Sequence, residues 1–357
     1  MKILLLSRFT YLAPGPRYRY YQYLPYLREQ GFDVTIAPLL DDDYLHNRYS
    51  EKKISSLYLL DKYLQRVAWL IKSRRYDLIW MEKEALPFFP AWLELLLLKS
   101  NVPYVVEYDD ATFHTYDQHN SSVVRWILGQ KIDRVMQAAS LVIAGNDYLA
   151  ERAEKAGAAW VEILPTVIDL DRYPLAPPPD NEIFTIGWIG SPTTSMYLLE
   201  VHTALEEICR DSGARVVAIG AANLELPGVP LTIKPWSEAT EVEEIQKFDV
   251  GIMPLPNLPW SRGKCGFKLI QYMACSRPVI GSPVGVNPQI VDQKINGFLP
   301  NSTQEWIQAL EKLRNDRVLR QQLGKAGRAK VEAQYCIQVT APKLANLLRK
   351  VKRTTSA

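Results

Sequence analysis

Lys264 and Lys268 stand four residues apart in "SRGKCGFKLIQYMACSRPVIG" (261–281), around a Gly-Phe pair where an apolar helix begins. A helix N-terminus carries about half a positive charge and favours anions. Two cations there predict a negative ligand, with Gly266 allowing close backbone approach and the N–H groups of the first turn, from Phe267 onward, facing phosphate oxygens. Residues 250–291 contain no Asp or Glu, yet hold Arg262, Lys264, Lys268 and Arg277. Residues 1–28 are also free of acids and hold Lys2, Arg8, Arg17, Arg19 and Arg28. A single Lys or Arg is usually a solvated surface charge, and Arg28 and Arg277 are read so. The lysine pair is read as an anion site. In "APGPRYRY", Gly15, Arg17 and Arg19 either meet a phosphate or an anionic acceptor, or begin a helix with both arginines in solvent.

These residues need elements to hold them. "MKILLLSRF" has too short an apolar run for a signal peptide and reads as a first β-strand. A loop, a helix through "RYRYYQYLPYLREQ", Gly31 and the strand "FDVTIAPL" complete a βαβ unit. The same order returns at "FTIGWIG", a helix through "TTSMYLLEVHTALEEICRD", Gly213 and "ARVVAIG". Further strands are expected at "YDLIWM", "VPYVVEYDD", "ASLVIAGN", "LTIKPW", "FDVGIMPLP" and "RPVIGSP". Alternating strands and helices predict an α/β protein of two Rossmann-like, doubly wound parallel-sheet domains facing a cleft. "DLDRYPLAPPPDNE" (169–182), with Pro174 and Pro177–Pro179, is the expected linker. The boundaries follow as 1–175, 176–335 and a closing helix 336–357 that can return to the first domain.

Composition narrows the function classes. A chain of 357 residues, 47% hydrophobic and 23% charged, exceeds one ordinary core. A net charge of +3, with no basic run interleaved with a nucleic-acid-binding signature, argues against a nucleic-acid binder. Four scattered cysteines with no CxxC suit a reducing compartment, so a cytoplasmic location is expected. The longest apolar segment, "LPFFPAWLELLLLKS" (86–100), is broken by Pro87, Pro90 and Glu94. It falls short of the roughly 20 residues of a membrane span.

"GFKLIQYMACSRPVIGSPVGVNPQIVDQKINGFL" resembles the donor-nucleotide segment of GT-B-fold glycosyltransferases of retaining family four, and "LPTVIDLDRY" resembles the segment before their linker. The resemblance implies sugar transfer, with retention, from a nucleotide diphosphate-sugar to a glycan or lipid-linked acceptor. No cofactor beyond that co-substrate and no metal are implied. The family's two glutamates fall on Gly263 and Gln271, and "GSPTTSMYLL" lacks the family's basic pair, which Lys264 and Lys268 would replace. Gln271 keeps hydrogen-bonding capacity toward a hydroxyl. The resemblance places base contacts at Trp236, for which core packing is an equal alternative.

"IGWIGS" is not GxGxxG, and that spacing argues against a dehydrogenase. Gly190 and Ser191 are read as donor contacts, with a tight turn as the alternative. "EYDDATFH" ends a strand with Asp109, Asp110 and His114, and "WMEKEALPF" ends another with Glu82 and Glu84. Carboxylates clustered at a sheet edge are costly unless paired or bound. Asp110 and His114 are expected to face the acceptor hydroxyl, alongside Lys268 as the catalytic set, with Glu84 behind. Asp109, Asp110, His114 and His119 match no metal-ligand spacing. A lipid-linked acceptor would favour peripheral contact with the inner membrane face through "PRYRYYQYLPYLREQ" and "PFFPAWLELLLLK". A nucleotide-sugar epimerase of the same fold and a catalytically silent nucleotide-sugar-binding protein are the competing readings.

Overall fold

A computed structural model describes residues 1–49, 52–98 and 102–356. Residues 99 and 100, which end the longest apolar segment, lie outside the described residues. The chain divides into two compact units, Met1–Thr166 with Thr340–Ala357, and Val167–Val339.

The first unit holds a six-stranded sheet of β1 (Lys2–Leu6), β2 (Asp33–Ile36), β3 (Leu78–Glu82), β4 (Tyr104–Tyr108), β5 (Leu141–Ala144) and β6 (Val161–Ile163). All pairings are parallel and the order is β2-β1-β3-β4-β5-β6. Helices cover both faces of such a sheet, which explains the continuous apolar runs: every residue of β3, β4 and β5 is buried. The order reverses between β1 and β3, and ligands of open α/β sheets bind beyond the carboxyl ends at such a point.

The expected helix over 17–30 is broken into Pro14–Arg19, a 3₁₀ turn Tyr21–Tyr23 and Leu24–Glu29. Pro25 has no N–H for the preceding turn, so a helix can restart there but not run through. The tyrosines face inward: Tyr18, Tyr20 and Tyr23 are buried, and Tyr20 packs edge-on against Trp80. The segment is core, which removes its aromatic face from contact with a membrane. Part of the helix Ile337–Ser356 closes this unit, burying Leu344, Leu348 and Val351, joining Tyr23 Oη to Thr340 Oγ1 at 2.9 Å and Lys352 to Asp77 at 2.9 Å.

The second unit holds β7 (Phe184–Ile189), β8 (Ala214–Ile219), β9 (Leu231–Lys234), β10 (Val250–Met253), β11 (Val279–Gly281) and β12 (Gly297–Phe298). Its order is β12-β11-β10-β7-β8-β9, again parallel, with the reversal between β7 and β10. Trp188, Ile186, Val216 and Ile252 fill the core with Leu198, Leu205 and Leu310 from the covering elements. The helix expected over 193–211 begins as a 3₁₀ stretch, Pro192–Val201, before His202–Cys209. Arg277, read as a surface cation, is only 3% exposed. The proline-rich segment 169–182 lies within this unit. All four cysteines are buried free thiols.

Candidate active site

In the second unit the reversal point is built by Tyr272. Its hydroxyl accepts the Ile189 N–H at 2.9 Å and donates to the Ile252 carbonyl at 3.3 Å, bridging β7 and β10 where they part. Close packing sets the strand glycines: a Cβ on Gly251 would lie 2.2 Å from the Tyr272 ring, and one on Gly187 1.9 Å from Phe248. The helix Phe267–Ala274 carries Tyr272 and starts at Gly266, whose φ of 64° is left-handed and suits glycine.

Lys268 leaves the first turn of this helix and lies across the end of β7. A Cβ on Gly190 would sit 2.9 Å from Lys268 Cε and 2.4 Å from Trp188 Cη2, and the ammonium stands 5.4 Å from the Trp188 ring centre. Lys264, one loop earlier, places its ammonium 5.7 Å from the Trp260 ring. Both lysines and Phe267 are half-buried. The structure therefore gathers Gly190, Gly266 and Lys268 at one sheet edge. Ser191 caps the 3₁₀ stretch in a capping box with Thr194, so its hydroxyl serves its own turn.

Gln271 is buried and donates to the Tyr173 hydroxyl at 3.0 Å. Tyr173 donates to Glu241 Oε1 at 3.4 Å, and Trp236 Nε1 donates to Glu241 Oε2 at 2.9 Å. Trp236 is 37% exposed and its Cβ lies 3.1 Å from where a Cβ on Gly220 would fall. Glu241 and Tyr173, which the sequence reading passes over, thus join Gln271 to Trp236. Asn287, also passed over, is buried with its Oδ1 lacking a partner among the described residues, 3.3 Å from a Cβ built on Gly266. Tyr173 and Asn287 lie within the two segments that carry the family resemblance, but only the fold shows what each of the three meets.

The first unit's edge is acidic as well as basic. Gly15 lies against carboxylates: its added Cβ would be 3.6 Å from Asp109 Oδ2 and 3.8 Å from Glu82 Oε1. Arg17 and Arg19 are buried. Arg17 donates to the carbonyls of Tyr11 at 3.1 Å and Leu12 at 2.7 Å. Arg19 pairs with Glu107 at 2.5 Å and donates to the Leu164 carbonyl at 2.9 Å. Their guanidinium groups hold the loop in place and tie it to β4. Burial pushes the Glu107 carboxyl up while Arg19 and the Trp80 N–H pull it down, and burial likewise raises Glu82.

Lys83, not singled out from sequence, has a left-handed φ of 59° and pairs with Asp109 at 2.8 Å. Burial works against its charge, but Asp109, Asp110 and Glu82 hold its pKa above the ordinary value. Asp110 is half-buried beside it. His114 Nδ1 meets Asp117 at 2.8 Å and Nε2 meets the Tyr148 hydroxyl at 2.8 Å, so both ring nitrogens are engaged. Glu84 turns inward, paired with Lys131 at 2.6 Å and accepting from Tyr116 at 2.9 Å. Glu94 shares that lysine at 3.4 Å. Among the described residues no group of three or more His, Cys, Asp or Glu is placed to hold a metal ion.

Comparison with known proteins adds to this geometry. Residues 17–172 match the family model described as Glycosyltransferase Family 4, and residues 183–316 the one described as Glycosyl transferases group 1. The chain carries the two domains of a GT-B glycosyltransferase. Solved structures share the fold at low identity. HepE of Anabaena, in complex with UDP, has a TM-score of 0.73 at 16% identity, covering 98% of this chain and 100% of that one. Sucrose-phosphate synthase of Thermosynechococcus elongatus gives 0.74 at 15%, covering 99% and 100%. A glycosyltransferase of Rickettsia africae gives 0.68 at 16%, covering 98% of each. No curated protein matches the chain in sequence.

Proposed function

We propose that this GT-B glycosyltransferase moves a sugar, with retention and without a metal, from a nucleotide diphosphate-sugar to a glycan or lipid-linked acceptor. The observation that carries the reading is Lys268 lying across Gly190 at the reversal point of the second sheet. A cation above a glycine, beside a helix N-terminus, suits a diphosphate laid on the backbone. Departure of the nucleoside diphosphate builds negative charge on its β-phosphate. Lys268 and Lys264, fixed in advance, stabilise that charge more in the transition state than in the ground state. Trp236 and Gln271 then serve the base and a hydroxyl of the donor. HepE has been solved with UDP and with UDP-glucose, which supports a uridine nucleotide as the first donor to try.

Asp110 and His114 serve the acceptor side. His114, held by Asp117 and Tyr148, acts by position, and Asp110 is the group that meets the hydroxyl. Asp110→Asn is expected to depress transfer while UDP affinity stays unchanged; an equal loss of UDP binding would place Asp110 elsewhere. Titration of the protein with UDP, GDP and ADP tests the donor class, and NMR of the product anomer tests retention. Transfer that EDTA abolishes and a divalent ion restores would remove metal independence. Sugar isomerisation without an acceptor would point to an epimerase, and binding without turnover to a silent protein.

Peripheral membrane contact belongs to the same reading, through one segment of the two. No helix among the described residues is long and apolar enough to cross a membrane. Phe88, Phe89, Trp92 and Leu96 are exposed, and the neighbouring helix Ser56–Lys72 exposes Leu57, Leu60, Leu64 and Ile71 along one stripe. Exposed Lys52, Lys53, Lys72, Arg74 and Arg75 flank the stripe. Apolar side chains rimmed by cations fit an anionic lipid surface. Cosedimentation with anionic liposomes at low salt should be lost in Leu60→Asp/Leu64→Asp; no cosedimentation by the parent protein would end the proposal.

A further inference from the structure

At the amino edge of the second sheet, opposite Lys268 and Gly190, a cavity of about 590 Å³ opens between the proline-rich segment and the helix Arg317–Gln334. Its floor is where β10 and β11 begin, at Asp249, Arg277 and Pro278. Arg317, Arg320, Gln321, Lys325 and Arg328 line one side, since steps of three and four residues from Arg317 through Gln321 bring them to one helix face. Five cations therefore meet two acids, Asp249 and Glu332.

Both acids are engaged. Asp249 accepts from Asn181 Nδ2 and the Thr185 N–H, each at 2.9 Å, and lies 3.5 Å from Arg320. Glu332 pairs with Arg328 at 2.6 Å. Most of the cations are also held: Arg328 donates to the carbonyls of Tyr173 and Ala274, Arg320 to those of Leu313 and Arg314, and Arg317 pairs with Asp180 at 2.8 Å.

Arg277 differs. It is 97% buried, being 3% exposed, and its only hydrogen bond among the described residues is from Nε to the Cys275 carbonyl at 2.8 Å. Among the described residues neither Nη group has a hydrogen-bond partner or a carboxylate within ion-pair distance, and neither is closed off from the cavity. Burial pulls its pKa down from the ordinary value, with Cys275 and Asp249 pulling the other way. Lys325, across the cavity, has no carboxylate partner among the described residues either. A guanidinium enclosed on most sides, with unused donors open to the cavity, offers them to an anion that enters it. Its planar fork fits two phosphate oxygens at once. The cavity has the size of small-molecule sites, and Leu175, Ala176, Pro178 and Pro179 give it an apolar wall.

We propose that this cavity is a second ligand site, separate from the donor edge, that takes a small phosphate-bearing molecule with its phosphate on Arg277 and Lys325 and its neutral body against Pro178 and Pro179. The site needs no part of the transfer chemistry and stands whether or not the donor assignment does.

The test is calorimetric titration of the full chain with inorganic phosphate at matched ionic strength, alone and with saturating UDP. Saturable binding that UDP leaves unchanged is expected, weakened roughly tenfold or more by Arg277→Gln and severalfold by Lys325→Ala, as for loss of a charge-assisted contact. UDP affinity should be the same in both variants. If Arg277→Gln does not fold, Lys325→Glu decides, since a reversed charge should abolish phosphate binding. Phosphate affinity equal in parent and variants, a response no different from chloride, or displacement of phosphate by UDP would each overturn the site.

Discussion

The carboxyl edges of the two sheets place their cations differently. In the first unit, acids from the ends of β3 and β4 meet the cations of the opening segment and of Lys83: Arg19 is locked to Glu107 at 2.5 Å and Lys83 to Asp109 at 2.8 Å. In the second unit, Lys264 and Lys268 rise from a stretch without acids, and their ammonium groups rest over the faces of Trp260 and Trp188. A run of sequence without acids therefore does not by itself predict a positive field, because other strands can bring carboxylates to the same place, as β3 and β4 do around Arg19 and Lys83. Arg17 and Arg19 serve as internal ties, whereas Lys268 stays at the surface of its edge.

The comparison breaks first if the Arg19 tie proves unimportant. Arg19→Met leaves Glu107 charged and buried, and removal of one partner of a buried pair costs about 3–5 kcal/mol. Denaturant unfolding of the first unit should show a loss of that size. A loss below about 1 kcal/mol, the value of an exposed pair, would mean that Arg19 is not a tie.

Lys268→Ala comes next. It should lower turnover by one to two orders of magnitude, the equivalent of about 1.5–3 kcal/mol for a charged contact, without moving the unfolding midpoint. UDP should bind more weakly while uridine is hardly affected, and Lys264→Ala should act in the same direction. UDP affinity equal to the parent's in both variants would make the lysines ordinary surface charges.

Gly190→Ala sharpens the geometry. Its new Cβ would press on Trp188 and on Lys268 Cε, an overpacking cost of about 1–3 kcal/mol that moving Lys268 partly relieves. A severalfold rise in the Kd for UDP is expected by calorimetry, and unchanged affinity would mean that Lys268 does not lie over the ligand.

The smallest effect concerns pH. Burial raises the Glu82 carboxyl above its ordinary value, against the pull of Lys83 and the Arg8 N–H. The folded state then keeps a proton that the unfolded chain has released, so stability falls as pH climbs from the ordinary glutamate range through the raised value. Glu82→Gln can still accept the Arg8 N–H, now at 2.6 Å from Glu82 Oε2, and removes the titration. Unfolding of the variant should vary less with pH across that window than unfolding of the parent; identical slopes would show Glu82 to titrate normally.

The sequence by itself determined the parallel sheets, because strands buried on both faces must be written as continuous apolar runs, as in "KILLL", "LIWME" and "VGIM". It also located the helix at Phe267 and the lysine pair, since a helix start and its neighbouring charges are properties of a few consecutive residues. Long-range placement was not legible there. Nothing local says that Tyr18, Tyr20 and Tyr23 turn into the core while Leu60 and Leu64 turn out, because an amphipathic face does not name the surface that covers it. Nor does spacing reveal that Glu107 waits for Arg19, 88 residues away, or that Tyr173 and Glu241 join Gln271 to Trp236. Such pairings form between strands and helices far apart in the chain, where the energy of burying a charge or a hydroxyl depends on what the fold brings opposite it. Arg277 carries the same lesson: one cation in an acid-free run reads as solvated, and only the packing of the helix Arg317–Gln334 against the ends of β10 and β11 encloses it with its donors unused.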